Sequence, residues 1–187
     1  EAALRAHLRT VRDAAAGHDA LGTPLALCAD TELCVVRELG RGLTLAELLA
    51  DTARPVDPVF VLRTLRAIAG GVAHLHAASL VFAGLYPENV LFTDAYDVRL
   101  VDYGFDSVKG RIRAHSEQVG RAAYLPPELH EREAQHQEER KRGYAKVQTE
   151  GLFDARGDVY AYGVLAWSVW NRAKPFGDLT ARGAAAR

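Results

Sequence analysis

The sequence predicts an α+β fold, with short hairpins and longer helices in separate stretches of one chain. Two pairs of short apolar runs, each pair split by a polar turn, predict two hairpins: residues 24–29 with 33–37, and 89–92 with 98–101. Apolar residues at helical spacing predict three main helices: residues 1–16, 58–76 and 159–170. At 187 residues, 49% hydrophobic and 25% charged, the chain can bury a core.

Composition excludes several classes of function. With a net charge of −1, no field steers the chain onto nucleic acid or an anionic membrane, so neither partner is expected. The longest apolar run, residues 159–170, is shorter than the ~20 residues that span a bilayer. Cys28 and Cys34 are too few for a disulfide framework, which favours reduced thiols in the cytoplasm. Since the chain lacks Met even at position 1, we expect a segment of a longer translation product.

The first third of the chain combines one helix with the first hairpin. The helix at residues 1–16 has one apolar stripe and ends at Gly17. The hairpin at residues 24–37 follows, then a glycine-containing segment at residues 38–42 and a short helix at 45–49.

The long helix at residues 58–76 begins with a clear start signal, because Asp57 can cap it and a proline follows. Gly70 and Gly71 are unfavourable inside a helix, so they indicate close packing against a neighbour. His74 and His76 cannot share a helix face, which favours structural histidines over a metal site.

The second hairpin carries Asn89 at its entrance and Asp102 at its exit. An amide oxygen and a carboxylate that leave adjacent ends of one hairpin suit Mg²⁺, which prefers hard oxygen ligands. The alternative is a plain hairpin whose Asp-Tyr-Gly exit is an ordinary turn.

Four motifs near this hairpin resemble those of a Ser/Thr protein kinase, in the same order and near the same spacing. They are LYPENVL at residues 85–91, similar to the tail of the catalytic loop, VDYGF at 101–105, similar to the metal-binding DFG stretch, YLPPE at 124–128, similar to APE, and GDVYAYGV at 157–164, similar to the start of the central helix. The resemblance runs from about residue 4 to residue 178. It implies the two-lobe protein kinase fold.

The resemblance divides the chain into two parts. Residues 1–42 would be a partial small lobe and hinge, and residues 43–187 a mainly helical large lobe. The charged stretch at about 131–150 would be an insertion, either a solvated helix or loop or a docking element for a partner. Because the family's later helices are absent, one side of the helix at 159–170 is expected to be uncovered, which predicts self-association of the segment.

Residues for ATP and Mg²⁺ are implied only in part. Asn89 and Asp102 would hold Mg²⁺, Leu91 would form the floor of the adenine site, and Glu38 and Gly40 would lie in the hinge beside adenine. Any nucleotide binding is therefore expected to be weak and dependent on Mg²⁺.

Arg37 would guard the back of the adenine pocket. A buried cation without a partner is costly, so its side chain is expected to reach solvent or a carboxylate.

The positions that carry phosphoryl transfer in the family have changed. The general base of the HRD triplet is Gly84, the phosphate-neutralising Lys is Tyr86, and the Thr that bonds to both is Arg121. No catalytic residue is therefore expected in this loop. Asp158 could accept hydrogen bonds from the backbone of residues 82–84, or could simply cap its helix.

These observations favour a pseudokinase, a noncatalytic interaction or allosteric regulatory module in signalling with protein partners. The alternative is a kinase domain that retains ATP and Mg²⁺ binding, with weak Ser/Thr phosphotransfer.

Overall fold

The computed structural model describes residues 2–29, 33–37, 42–103, 121–142 and 153–176. The helices are α1 (Ala2–Ala15), α2 (Leu45–Ala50), α3 (Pro58–Ala77), α4 (Pro127–Lys141) and α5 (Ala155–Asn171). The strands are β1 (Pro24–Ala29), β2 (Leu33–Arg37), β3 (Val90–Phe92) and β4 (Val98–Leu100). Single turns of 3-10 helix lie at Pro87–Asn89 and Arg121–Tyr124. The predicted α+β class is confirmed.

The strands form two separate antiparallel sheets, β1 with β2 and β3 with β4. In the first sheet Ala29 lies opposite Leu33, and the register is irregular between Pro24 and Ala26. In the second sheet Val90 lies opposite Leu100. Both predicted hairpins are therefore present, and the second is one residue shorter at each outer end.

The β3–β4 hairpin lies in the core and is tied to chain segments on both sides. The Leu100 amide donates to the Ala20 carbonyl at 2.7 Å, and the Gly22 amide donates to the Leu100 carbonyl at 2.8 Å. The Phe92 amide donates to the Leu43 carbonyl at 2.8 Å. These bonds fix the hairpin at its turn end, through Phe92, and at its open end, through Leu100, where Asn89 and Asp102 lie.

Helix α3 packs closely on this hairpin, as its glycines predict. A Cβ atom on the buried Gly71 would lie 2.7 Å from Leu100 Cδ1, so a larger residue would require the Leu100 side chain to move. The His74 Nε2 atom lies 3.0 Å from the Ala14 carbonyl oxygen and joins α3 to α1. His74 thus has a structural contact, as expected.

Helix α5 packs against α3 with one side and leaves the other open. Leu165 is fully buried, whereas Val159, Trp167 and Trp170 are 63%, 49% and 59% exposed. In the part of the chain that the structure describes, α5 therefore has the uncovered side that was expected. No helix within this part is both long and apolar enough to cross a membrane.

The charged stretch forms a helix over most of its described length. Helix α4 begins at Pro127 and includes residues 131–141, and Glu138 pairs with Arg142 at 3.4 Å. The remainder of the predicted insertion, residues 143–150, lies outside the described residues.

Candidate functional site

The loop before the second hairpin is held by Asp158, which lies in the first turn of α5. Its Oδ2 atom accepts a hydrogen bond from the Phe82 amide at 2.7 Å, and its Oδ1 atom accepts one from the Ala83 amide at 2.9 Å. His76 Nε2 lies 2.7 Å from the same Oδ2 atom. The N-cap of α5 is Asp154, so Asp158 holds the loop and is not a plain helix cap.

The Asp158 carboxylate that accepts these hydrogen bonds is buried. Asp158 is only 2% exposed, and this burial raises the pKa of its carboxyl group, although the bonds from His76 and from two loop amides act in the opposite direction. Ala83 has a φ of 56°, in the left-handed region that residues other than glycine rarely adopt. Asp158 thus stabilises a loop conformation that is unfavourable by itself.

Asn89 and Asp102 lie at adjacent ends of the β3–β4 hairpin, as the sequence predicts. The Val101 amide donates to the Asn89 carbonyl at 3.0 Å, which holds the two backbone segments side by side. Asn89 is 8% exposed, and its Nδ2 atom donates to the Gly84 carbonyl at 2.8 Å. Asp102 is exposed and has a φ of 59°, a conformation that Asp tolerates better than most residues.

The Asp102 carboxylate already has a cationic partner. Arg37, the last residue of β2, donates a hydrogen bond from its guanidinium group to Asp102 Oδ1 at 2.8 Å. The two side chains are 37% and 52% exposed, so the pair is partly accessible to solvent. Arg37 therefore both reaches solvent and finds a carboxylate, which are the two arrangements expected for it.

The Arg37 guanidinium group would compete with a magnesium ion for the Asp102 carboxylate. Mg²⁺ binds in proteins through one or two carboxylates, and the Asp102 carboxylate is already paired with a guanidinium group. The magnesium role of Asn89 and Asp102 stays a prediction, and the Arg37 pair weighs against it.

The three changed positions of the transfer site come together around one buried ring. Tyr86 is 2% exposed, and the guanidinium carbon of Arg121 lies 5.2 Å from the centre of its ring, a cation–π contact. Tyr124 meets the same ring edge-on, with centroids 6.0 Å apart and planes at 75°. The Tyr86 amide donates to the carbonyl of the buried Gly84 at 2.9 Å. A packed aromatic cluster thus lies where the transfer residues would be.

Two further aromatic residues connect this loop to the rest of the core. The fully buried Phe82 ring lies 5.7 Å from the ring of Tyr103. The Tyr103 hydroxyl donates to the Gly22 carbonyl at 3.0 Å, and burial raises the pKa of Tyr103. Position 82 thus keeps an apolar contact with the interior.

The predicted adenine contacts are described only in part. Leu91 lies on β3, is partly buried and forms a bridge with Thr44. Glu38 and Gly40 lie outside the described residues. The contact of all three with adenine therefore stays a prediction.

Sequence reasoning missed the pairing of Arg37 with Asp102 and the packing of Arg121 on Tyr86. In both cases an arginine occupies a position where the resemblance implies no cation. Such an arginine needs a partner in the folded chain, but the sequence does not show which residue that partner is.

Comparison with known proteins gives consistent matches. The model of the protein kinase domain family matches residues 18–185. The serine/threonine-protein kinase PknL of Mycobacterium tuberculosis is 36% identical over 144 residues, which are 76% of this chain and 31% of PknL. Human receptor-interacting serine/threonine-protein kinase 4 is 30% identical over 139 residues, 72% of this chain and 15% of that protein.

A Dictyostelium discoideum protein named as a probable inactive serine/threonine-protein kinase is 27% identical over 126 residues, which are 64% of this chain and 10% of that protein. The chain thus spans less than a third of the length of these relatives. The family model covers most of the chain, and the two sheets and the helices agree with a partial two-lobe kinase fold. The chain belongs to the protein kinase domain family.

Proposed function

We propose that this domain is a pseudokinase, a noncatalytic interaction or allosteric regulatory module in cytoplasmic signalling. Protein kinase domains as a family use ATP and Mg²⁺ for phosphoryl transfer. Here the loop that performs the transfer keeps its fold through Asp158 but has lost its reactive groups. What remains is a scaffold that can present surfaces to protein partners.

The observation that carries this proposal is the cluster of Tyr86, Arg121 and Gly84. Gly84 has no side chain that could accept a proton from a substrate hydroxyl group. Tyr86 has no ammonium group to neutralise a transferring phosphate, and its ring is buried beneath Arg121. These three changes support the proposal that this part of the loop packs the core and does not catalyse phosphoryl transfer.

A second candidate is a kinase domain that retains ATP and Mg²⁺ binding and weak Ser/Thr phosphotransfer. It is favoured by Asn89 and Asp102, which keep their positions at the ends of the hairpin, and by the 36% identity to the kinase PknL.

Phosphotransfer distinguishes the two candidates. We expect the chain incubated with radiolabelled ATP and Mg²⁺ to label neither itself nor generic peptides above the level of an Asp102→Ala variant, because Gly84, at the position of the family's base, has no side chain. Labelling by the unaltered chain that clearly exceeds this control would favour the second candidate.

The open side of α5 supports a role in binding proteins. Val159, Gly163, Trp167 and Trp170 form one exposed stripe along this helix, here called the α5 stripe. Two exposed tryptophans on one helix face are unusual for a surface in contact with water, and such patches often mark association surfaces. We propose that the α5 stripe binds a protein and, in the isolated chain, a second copy.

Sedimentation at micromolar concentration tests this proposal. We expect weak to moderate self-association of the 187-residue chain. Burial of the apolar area of the stripe favours association by about 25 cal/mol per Å², and the entropy lost on association offsets much of this free energy. A Trp167→Gln/Trp170→Gln variant should be more monomeric, whereas Leu25→Gln, on the exposed part of β1, should not. A clean monomer of the unaltered chain would contradict the proposal.

A further inference from the structure

Arg37 and Asp102 form an ion pair that bridges the two sheets of the protein. They are 65 residues apart, one at the end of β2 and the other just after β4, and a hydrogen bond of 2.8 Å joins them. Hydrogen bonds between ionised partners are shorter and stronger than those between neutral groups. The negative charge of Asp102 is therefore balanced by Arg37 where the ends of the two hairpins meet.

A divalent cation at Asp102 would have to compete with this pair. It would need to displace the guanidinium group from Oδ1 and then remain close to a fixed positive charge, which repels it. The neighbouring Asn89 offers little electrostatic compensation, because an amide oxygen carries no net charge.

We propose that Arg37 is a built-in counter-ion that keeps the Asp102 carboxylate closed to divalent cations. The negative charge of Asp102 is then neutralised by the protein itself. A divalent cation would thus not bind at Asp102, contrary to the expectation from the sequence.

Titration with Mn²⁺, followed by the electron paramagnetic resonance signal of the free ion, tests this inference without nucleotide or phosphotransfer. We expect no specific binding to the unaltered chain at submillimolar Mn²⁺. An Arg37→Leu variant should bind about tenfold more tightly, the effect of removing one exposed ion pair and one repelling charge. Adding Asp102→Asn to that variant should abolish the gain.

Two further variants make the result specific. Arg66→Leu removes the same charge from an exposed position on α3 and should leave Mn²⁺ binding unchanged. Arg37→Gln keeps a polar side chain on the exposed end of β2, so it should fold and should show the same gain as Arg37→Leu. Mn²⁺ binding by the unaltered chain as tight as that of either Arg37 variant would overturn the proposal, and so would an equal gain in Arg66→Leu.

Discussion

Replacement of Asp158 by alanine is expected to lower the free energy of unfolding by about 3–5 kcal/mol. The change leaves the Phe82 and Ala83 amides buried without their acceptor and removes the partner of His76. Because the side chain is 2% exposed, water cannot readily replace these bonds. Urea denaturation followed by tryptophan fluorescence measures the loss.

The matched control is Asp154→Ala, four residues earlier. Asp154 caps α5 and accepts from the Arg156 and Gly157 amides, but it is more accessible to water. Loss of an N-cap costs about 1 kcal/mol. If the two variants lost the same stability, Asp158 would be an ordinary helix-end residue, and the loop would not depend on it.

Replacement of Tyr86 by alanine is expected to lower the free energy of unfolding by about 3–4 kcal/mol. The ring is 2% exposed and lies between Arg121 and Tyr124, so its removal leaves a cavity and exposes both neighbours. A position used for catalysis alone would tolerate substitution with little loss of stability. Chemical denaturation of both proteins gives the difference.

Tyr96 provides the control for this prediction, because it also lies beneath an arginine. The Arg54 guanidinium carbon is 5.6 Å from the centre of the Tyr96 ring, but this ring is 41% exposed. We expect Tyr96→Ala to cost less than about 1.5 kcal/mol, since a partly solvated side chain buries less area. If both variants lost the same free energy of unfolding, the burial of Tyr86 would add no stability beyond that of an exposed tyrosine beneath an arginine.

Local patterns predicted most of the elements because each has a strong signal within its own residues. The strands at residues 24–29 and 33–37 have the predicted bounds. The long helix begins at Pro58 as predicted, where Asp57 accepts a hydrogen bond from the Val59 amide. The start of α4 at Pro127 was missed, because its charged residues predict a helix or a loop equally well.

The properties of the candidate site were predictable only where they depend on which residue occupies a position. The loss of a base at Gly84 follows from the sequence, since glycine has no side chain. The Arg37 and Asp102 pair depends on how two hairpins are placed relative to each other. No periodicity within either hairpin contains that information, so the partner of Arg37 could be found only in the folded structure.

If the transfer site has been converted to packing, Tyr86 and Arg121 must stabilise each other. A double-mutant cycle with Tyr86→Leu and Arg121→Gln, measured by urea denaturation, gives their coupling energy directly. We expect about 1–2 kcal/mol, because the Tyr86 ring is buried and the contact is shielded from water. Strictly additive losses at Tyr86 and Arg121 would contradict the conversion, because the two residues would then occupy the site without supporting one another.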